Sequence, residues 1–175
     1  IIVAGVLLVF ASGIAIAADT DNHDITISVS AVYMLAINEF GGAVTLSIGD
    51  PLNAGEAPTA TANTGTELFY TVVATGTDTV GINVSVAASD IPSGLSLGVT
   101  VTPGAGGAGD KGTGGTTIWI DDTGTTGTPV VTGISSCYTD TTPDDGAEIK
   151  YELLSDGTAQ PVASDTITVT YTLTY

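Results

Sequence analysis

The sequence predicts an all-β protein, a single β-sandwich of immunoglobulin-like or jelly-roll type with about nine strands, after an N-terminal hydrophobic segment. Three observations predict it. The stretch Asp165–Tyr175 alternates strictly, with Ile167, Val169, Tyr171, Leu173 and Tyr175 on one face and Thr166, Thr168, Thr170, Thr172 and Thr174 on the other. That is the period-2 pattern of a half-buried strand built from β-branched and aromatic side chains. Shorter runs of the same kind recur every 8 to 20 residues or so, separated by Gly, Pro, Asn and Asp. No run after residue 18 has helical periodicity.

The N-terminal segment Ile1–Ala18 is a run of small and apolar residues that closes on Ala15, Ala17 and Ala18 before the chain turns polar at Asp19. Ala15 and Ala17 fit an Ala-x-Ala cleavage pattern, so the run reads as the apolar core and cleavage region of a secretory signal peptide. The alternative is a retained anchor or filament-core helix, about 27 Å long. Either reading places the protein outside the cell or at its surface. Residues 19–24 form a polar spacer, and residues 25–175 form the β domain.

Within that domain, Ile25, Ile27, Val29, Ala31, Tyr33, Leu35 and Ile37 share one parity and predict a long first strand, or two joined by a bulge. Val44–Ile48 predicts the next, followed by an aperiodic Pro/Ala/Thr/Asn/Gly loop from Asp50 to Gly65. Glu67–Thr75 is apolar at both parities, with Leu68, Tyr70 and Val72 opposite Phe69 and Val73, which predicts a central strand buried on both faces. Val80–Val86 and Leu95–Val101 alternate cleanly and flank a turn at Ile91–Gly94. Pro103–Gly115 is a glycine-rich, flexible loop. Strands are then expected at Ile118–Ile120, where Trp119 is assigned to the core, at Pro129–Ile134, at Glu148–Leu154 and at the C-terminal alternation.

The chain has 175 residues, enough for one sizeable core. Only two residues are basic against 19 acidic, a formal net charge of −17. Nucleic acid and anionic membrane surfaces both require Lys and Arg, so neither is expected as a partner. Membrane contact is expected only transiently, through the N-terminal segment. The acid instead keeps a Thr-rich β surface soluble.

Candidate chemistry is sparse. The only imidazole, His23, lies in the polar spacer, and the only thiol, Cys137, has no second His to partner it. Cys137 is expected as a small buried hydrophobe. The acids concentrate beside Gly, Pro and Thr in turns, where Asp serves turn geometry. Only Glu67 and Glu152 are candidates for a mid-strand acid on an inward face, so a two-carboxylate hydrolase is the least favoured reading. Asp140, Asp144 and Asp145 are the candidates for a structural calcium. The Asp19–Asp24 spacer starts like a calcium loop but has Asp24 where Gly belongs and Ser30 where Glu belongs. Gly104–Gly112 lacks the Ser or Thr after Lys111 that a phosphate loop requires. Asn83 and Ser85 form a glycosylation-type sequon. No catalytic residue and no cofactor is expected.

The ending from Asp165 to Tyr171 is similar to the last strand of spore-coat-U-type pilins, which are assembled by chaperone and usher. This chain departs from them in having a single cysteine. The hydrophobic start followed by a Thr/Gly-rich β head also resembles archaeal type IV pilins, although the apolar run is shorter. The resemblance implies a secreted, non-enzymatic homopolymer of a filament or surface layer, joined through strand edges or strand donation. Ile25, Ile27, Val29, Tyr33, Leu35 and Ile37 would form the assembly strand. The alternative is a monomeric secreted module that binds carbohydrate, through an exposed Trp119, or calcium.

Overall fold

The computed structural model describes residues 24–40, 42–51, 53–76, 78–161 and 165–175. The hydrophobic segment, His23 and most of the polar spacer lie outside the described residues.

The described chain is all-β, with twelve strand segments. The long ones are β1 (Val32–Glu39), β4 (Ala62–Val73), β5 (Val80–Val86), β6 (Leu95–Thr102), β9 (Thr125–Ile134), β11 (Ala147–Ser155) and β12 (Val169–Thr174). Five segments have only two or three residues: β2 (Ile48–Gly49), β3 (Thr59–Ala60), β7 (Ala108–Gly109), β8 (Ile118–Ile120) and β10 (Cys137–Tyr138). A single 3₁₀ turn, Ala88–Asp90, is the only helical element among the described residues.

All pairings are antiparallel and define two main sheets. The larger has seven strands in the order β7-β10-β4-β11-β6-β8, with β1 on the remaining side of β4. The smaller has the order β12-β5-β9, and β2 and β3 form a separate ribbon. Strand β4 organises the larger sheet. Along one edge it pairs with β1, from Glu39↔Thr66 to Val32↔Val73. Its other edge is shared end to end, by β11 over Ala62–Leu68 and by β10 at Thr71 and Val72. Thr139 closes the gap between them: its N–H donates to the Tyr70 carbonyl at 3.0 Å, and its hydroxyl accepts the Tyr70 N–H at 3.1 Å.

One hydrophobic cluster draws on both sheets. Leu68, Tyr70 and Val72 of β4, Leu97, Val99 and Val101 of β6, and Ala147, Ile149 and Tyr151 of β11 meet Val80, Ile82, Val84 and Val86 of β5. Burying a Val, Leu or Ile contributes about 1.5–3 kcal/mol, so this cluster dominates stability. Tyr171 of β12 donates its hydroxyl to that of Tyr151 at 3.0 Å, so the only strong polar groups at that point satisfy each other. Burial pushes both phenols above the ordinary tyrosine range.

Several expectations are corrected in detail. The first strand starts at Val32, and residues 24–31 are exposed and belong to no strand. The Val44–Ile48 alternation yields only the two-residue β2, although Val44 and Leu46 still pack on the core. Strand β4 is central, but Phe69 and Val73 are half-buried because only Leu68, Tyr70 and Val72 face the second sheet.

Candidate functional site on the outer face of the larger sheet

The alternation that buries Ile149 and Tyr151 turns Glu148, Lys150, Glu152 and Leu154 outward, and in β6 it turns Ser96, Gly98, Thr100 and Thr102 outward. These residues form the polar outer face of the larger sheet.

At one end of this face Glu67 and Glu148 stand directly opposite each other on β4 and β11. Like charges in that position repel. Glu67 is only 5% exposed, and both its oxygens are engaged. They accept the backbone N–H groups of Asp144, at 2.6 Å, and Gly146, at 3.0 Å. Asp144 has a left-handed backbone (φ 72°), and a Cβ on residue 146 would lie 2.6 Å from Glu67 Oε2, so glycine is required there. The Glu67 carboxylate therefore holds the 140–146 turn onto the sheet, a role that its mid-strand position hinted at. A cavity of about 210 Å³ beside it is lined by Glu67, Asp144, Glu148 and Thr102 among others.

The calcium candidates lie in that same turn with different partners. Asp140 accepts the N–H of Thr141 at 2.7 Å, Asp144 donates its own N–H to Glu67, and Asp145 lies against Gly106. Among the described residues no three His, Cys, Asp or Glu side chains converge as a metal-ligating group.

The glycine-rich loop, expected to be flexible, is pinned. Lys111 Nζ donates to the carbonyls of Gly106 and Ala105 at 2.6 and 3.3 Å, and the Lys111 carbonyl accepts the Tyr70 hydroxyl at 2.8 Å. Composition gave no signal for this, because the ties are made by backbone carbonyls. Cys137 is buried, and burial pushes its thiol up, away from the reactive thiolate.

At the other end of the face stands Trp119, whose assignment to the core is wrong. It is 49% exposed, because β8 directs Ile118 and Ile120 inward opposite Val99 and Leu97. Its benzo ring rests on Gly98, the residue opposite: a Cβ there would lie 2.8 Å from the ring.

The sheet edges differ in protection. Strand β9 carries Pro129, left-handed glycines at 127 and 133 and irregular register, all of which blunt an edge. Strand β8 has only three residues. Strands β1 and β12 are regular and carry no proline, and among the described residues they pair only with β4 and β5 respectively. They meet where Tyr33 stacks on Tyr175, with ring centroids 4.2 Å apart. Of the assembly residues, Tyr33 and Leu35 pack against the core and Ile37 is largely exposed. Ile25, Ile27 and Val29 are 73%, 81% and 75% exposed. In β12 Tyr171 is buried and Val169 and Leu173 pack half-buried on the cluster, whereas Ile167, expected in the same strand, packs on the cluster from the segment before it. Asn83 is half-buried in mid-β5 between Thr172 and Pro129, and Ser85 Oγ accepts the Gly127 N–H at 2.9 Å.

No family model matches the chain, and no curated protein and no solved structure matches it.

Proposed function

We propose that the protein is a non-enzymatic structural subunit of an extracellular filament or surface layer, and that copies join through β-strand edges. In this reading the two main sheets form a β-sandwich, and the segment 24–31 is an arm donated to a neighbouring copy. The observation that carries it is the exposure of Ile25, Ile27 and Val29. These residues share the parity of the inward-facing Tyr33 and Leu35, yet none of them belongs to the hydrophobic cluster of the described residues. Burial on a neighbour would contribute about 1.5–3 kcal/mol for each side chain, added to the backbone hydrogen bonds of strand addition. The unguarded edges of β1 and β12 offer such pairing, whereas β9 is blunted.

A structural rather than catalytic role fits the state of the reactive groups. The Cys137 thiol is buried, Glu67 is saturated by backbone donors, and Asp121 and Asp156 accept from Thr123 and Thr158 in their own turns. The apolar Ile1–Ala18 segment supports the extracellular address.

The test compares the intact protein with a variant lacking residues 24–31, by size-exclusion chromatography with light scattering and by negative-stain microscopy. The intact protein is expected to form fibres or oligomers and the variant to remain a folded monomer. Polymerisation of the variant at the same rate would overturn arm donation, and a parent monomeric at high concentration would overturn the subunit reading.

A further inference from the structure

We propose that the Trp119 end of the outer face is a binding strip for a neutral glycan of equatorially substituted pyranose units. Five positions on three adjacent strands, with Thr117 immediately before β8, form two rows. One row is Trp119, Gly98 and Glu152, fixed by the pairings Gly98↔Trp119 and Glu152↔Gly98. The other is Thr117, Thr100 and Lys150, with Thr100 and Thr117 hydroxyls 2.7 Å apart and Lys150 opposite Thr100. With strands about 4.8 Å apart, Trp119 and Glu152 are separated by roughly 10 Å, the span of two linked sugar rings.

The chemistry of the strip selects its ligand. Gly98 supplies a bed for one side of the indole and leaves about half the side chain bare. An equatorially substituted pyranose presents a flat patch of axial C–H groups that stacks on such a surface. Beyond the indole, Lys150 and Glu152 form an ion pair at 2.8 Å, both partly exposed, which puts ammonium donors and a carboxylate acceptor side by side on the strip. Their charges cancel locally, while the remainder of a chain at −17 repels an anionic polysaccharide. Complementarity therefore favours a neutral chain. If Trp119, on its short edge strand, served only to cover Gly98, nothing would require the paired threonines of the adjacent row or the ion pair that joins the two rows. The inference does not depend on filament formation.

Trp119 is the only tryptophan, so its fluorescence reports on this strip alone. The experiment titrates the full chain with cellohexaose, xylohexaose and chitohexaose, with an oligogalacturonate as the anionic comparison, and repeats the series by calorimetry. At least one neutral oligosaccharide is expected to give a saturable emission change. Its affinity should fall about tenfold in Trp119→Ala and several-fold in the double variant Lys150→Met, Glu152→Gln, which keeps the fluorophore. Thermal melts establish that each variant is folded. Absence of saturable binding by all three neutral probes overturns the proposal. So does unchanged affinity in both variants, or equal affinity for the oligogalacturonate.

Discussion

At the level of single residues, one buried side-chain polar atom has no partner among the described residues, Thr66 Oγ1. Thr66 is 2% exposed on the core side of β4, between Glu39 of β1 and Ile149 of β11. An unpaired buried hydroxyl carries a desolvation penalty of about 1–3 kcal/mol, and valine has nearly the same shape. Thr66→Val is therefore expected to stabilise the protein by about 1 kcal/mol, read as a higher urea midpoint with an unchanged m-value. The Tyr151–Tyr171 pair predicts the opposite sign. Tyr171→Phe leaves the Tyr151 hydroxyl buried and alone, and should destabilise by about 1–2 kcal/mol in the same assay. Glu67 shows how far the sequence alone could reach. A mid-strand acid marks a buried carboxylate with a task, but its two donors are 77 and 79 residues further along the chain. No local pattern encodes that separation.

At the level of the strands, alternation was an accurate guide wherever one face meets the core. In β5, β6 and β11 the inward residues Ile82, Val99 and Ile149 are those that period 2 selects. Where it overreached, as at Val44–Ile48 and in residues 25–31, the reason is that alternation encodes a face, not a partner. Residues 25–31 alternate as well as β1 does, yet strand pairing stops at Val32, opposite Val73, the last residue of β4. Trp119 lies between two isoleucines, and three consecutive apolar residues carry no parity information, so the core assignment could not be decided from sequence. The arm supplies the prediction at this scale. Ile27→Asp with Val29→Asp places charge on side chains that are exposed among the described residues, so the melting temperature should remain within about 2 °C of the parent. Association should nevertheless be lost in light scattering. A large drop in melting temperature would show instead that the arm packs on its own body.

For the whole molecule, charge would oppose the association proposed for the arm. Copies bearing −17 repel at low ionic strength, and 0.1 M salt contracts the screening length to about 10 Å. Contacts driven by apolar burial and backbone pairing should then form faster as salt rises, and faster again as pH falls toward the isoelectric point near 4.1. Acid has a second effect of opposite sign. Hydrogen bonds from the Thr123 hydroxyl and backbone hold Asp121 below the usual carboxylate range, and Thr158 does the same for Asp156. A depressed carboxylate contributes stability that is present above its unfolded pKa and is lost as pH falls through the folded one. The turns at 121–124 and 156–158 should therefore hold through the association window and loosen only in stronger acid. Light scattering and thermal melts recorded together from pH 8 to pH 2 should give an association maximum near pH 4, with melting temperature falling on its acid side. Association that weakens as salt rises at pH 7 would show that ion pairs rather than strand edges join the copies, and would remove the arm from the mechanism.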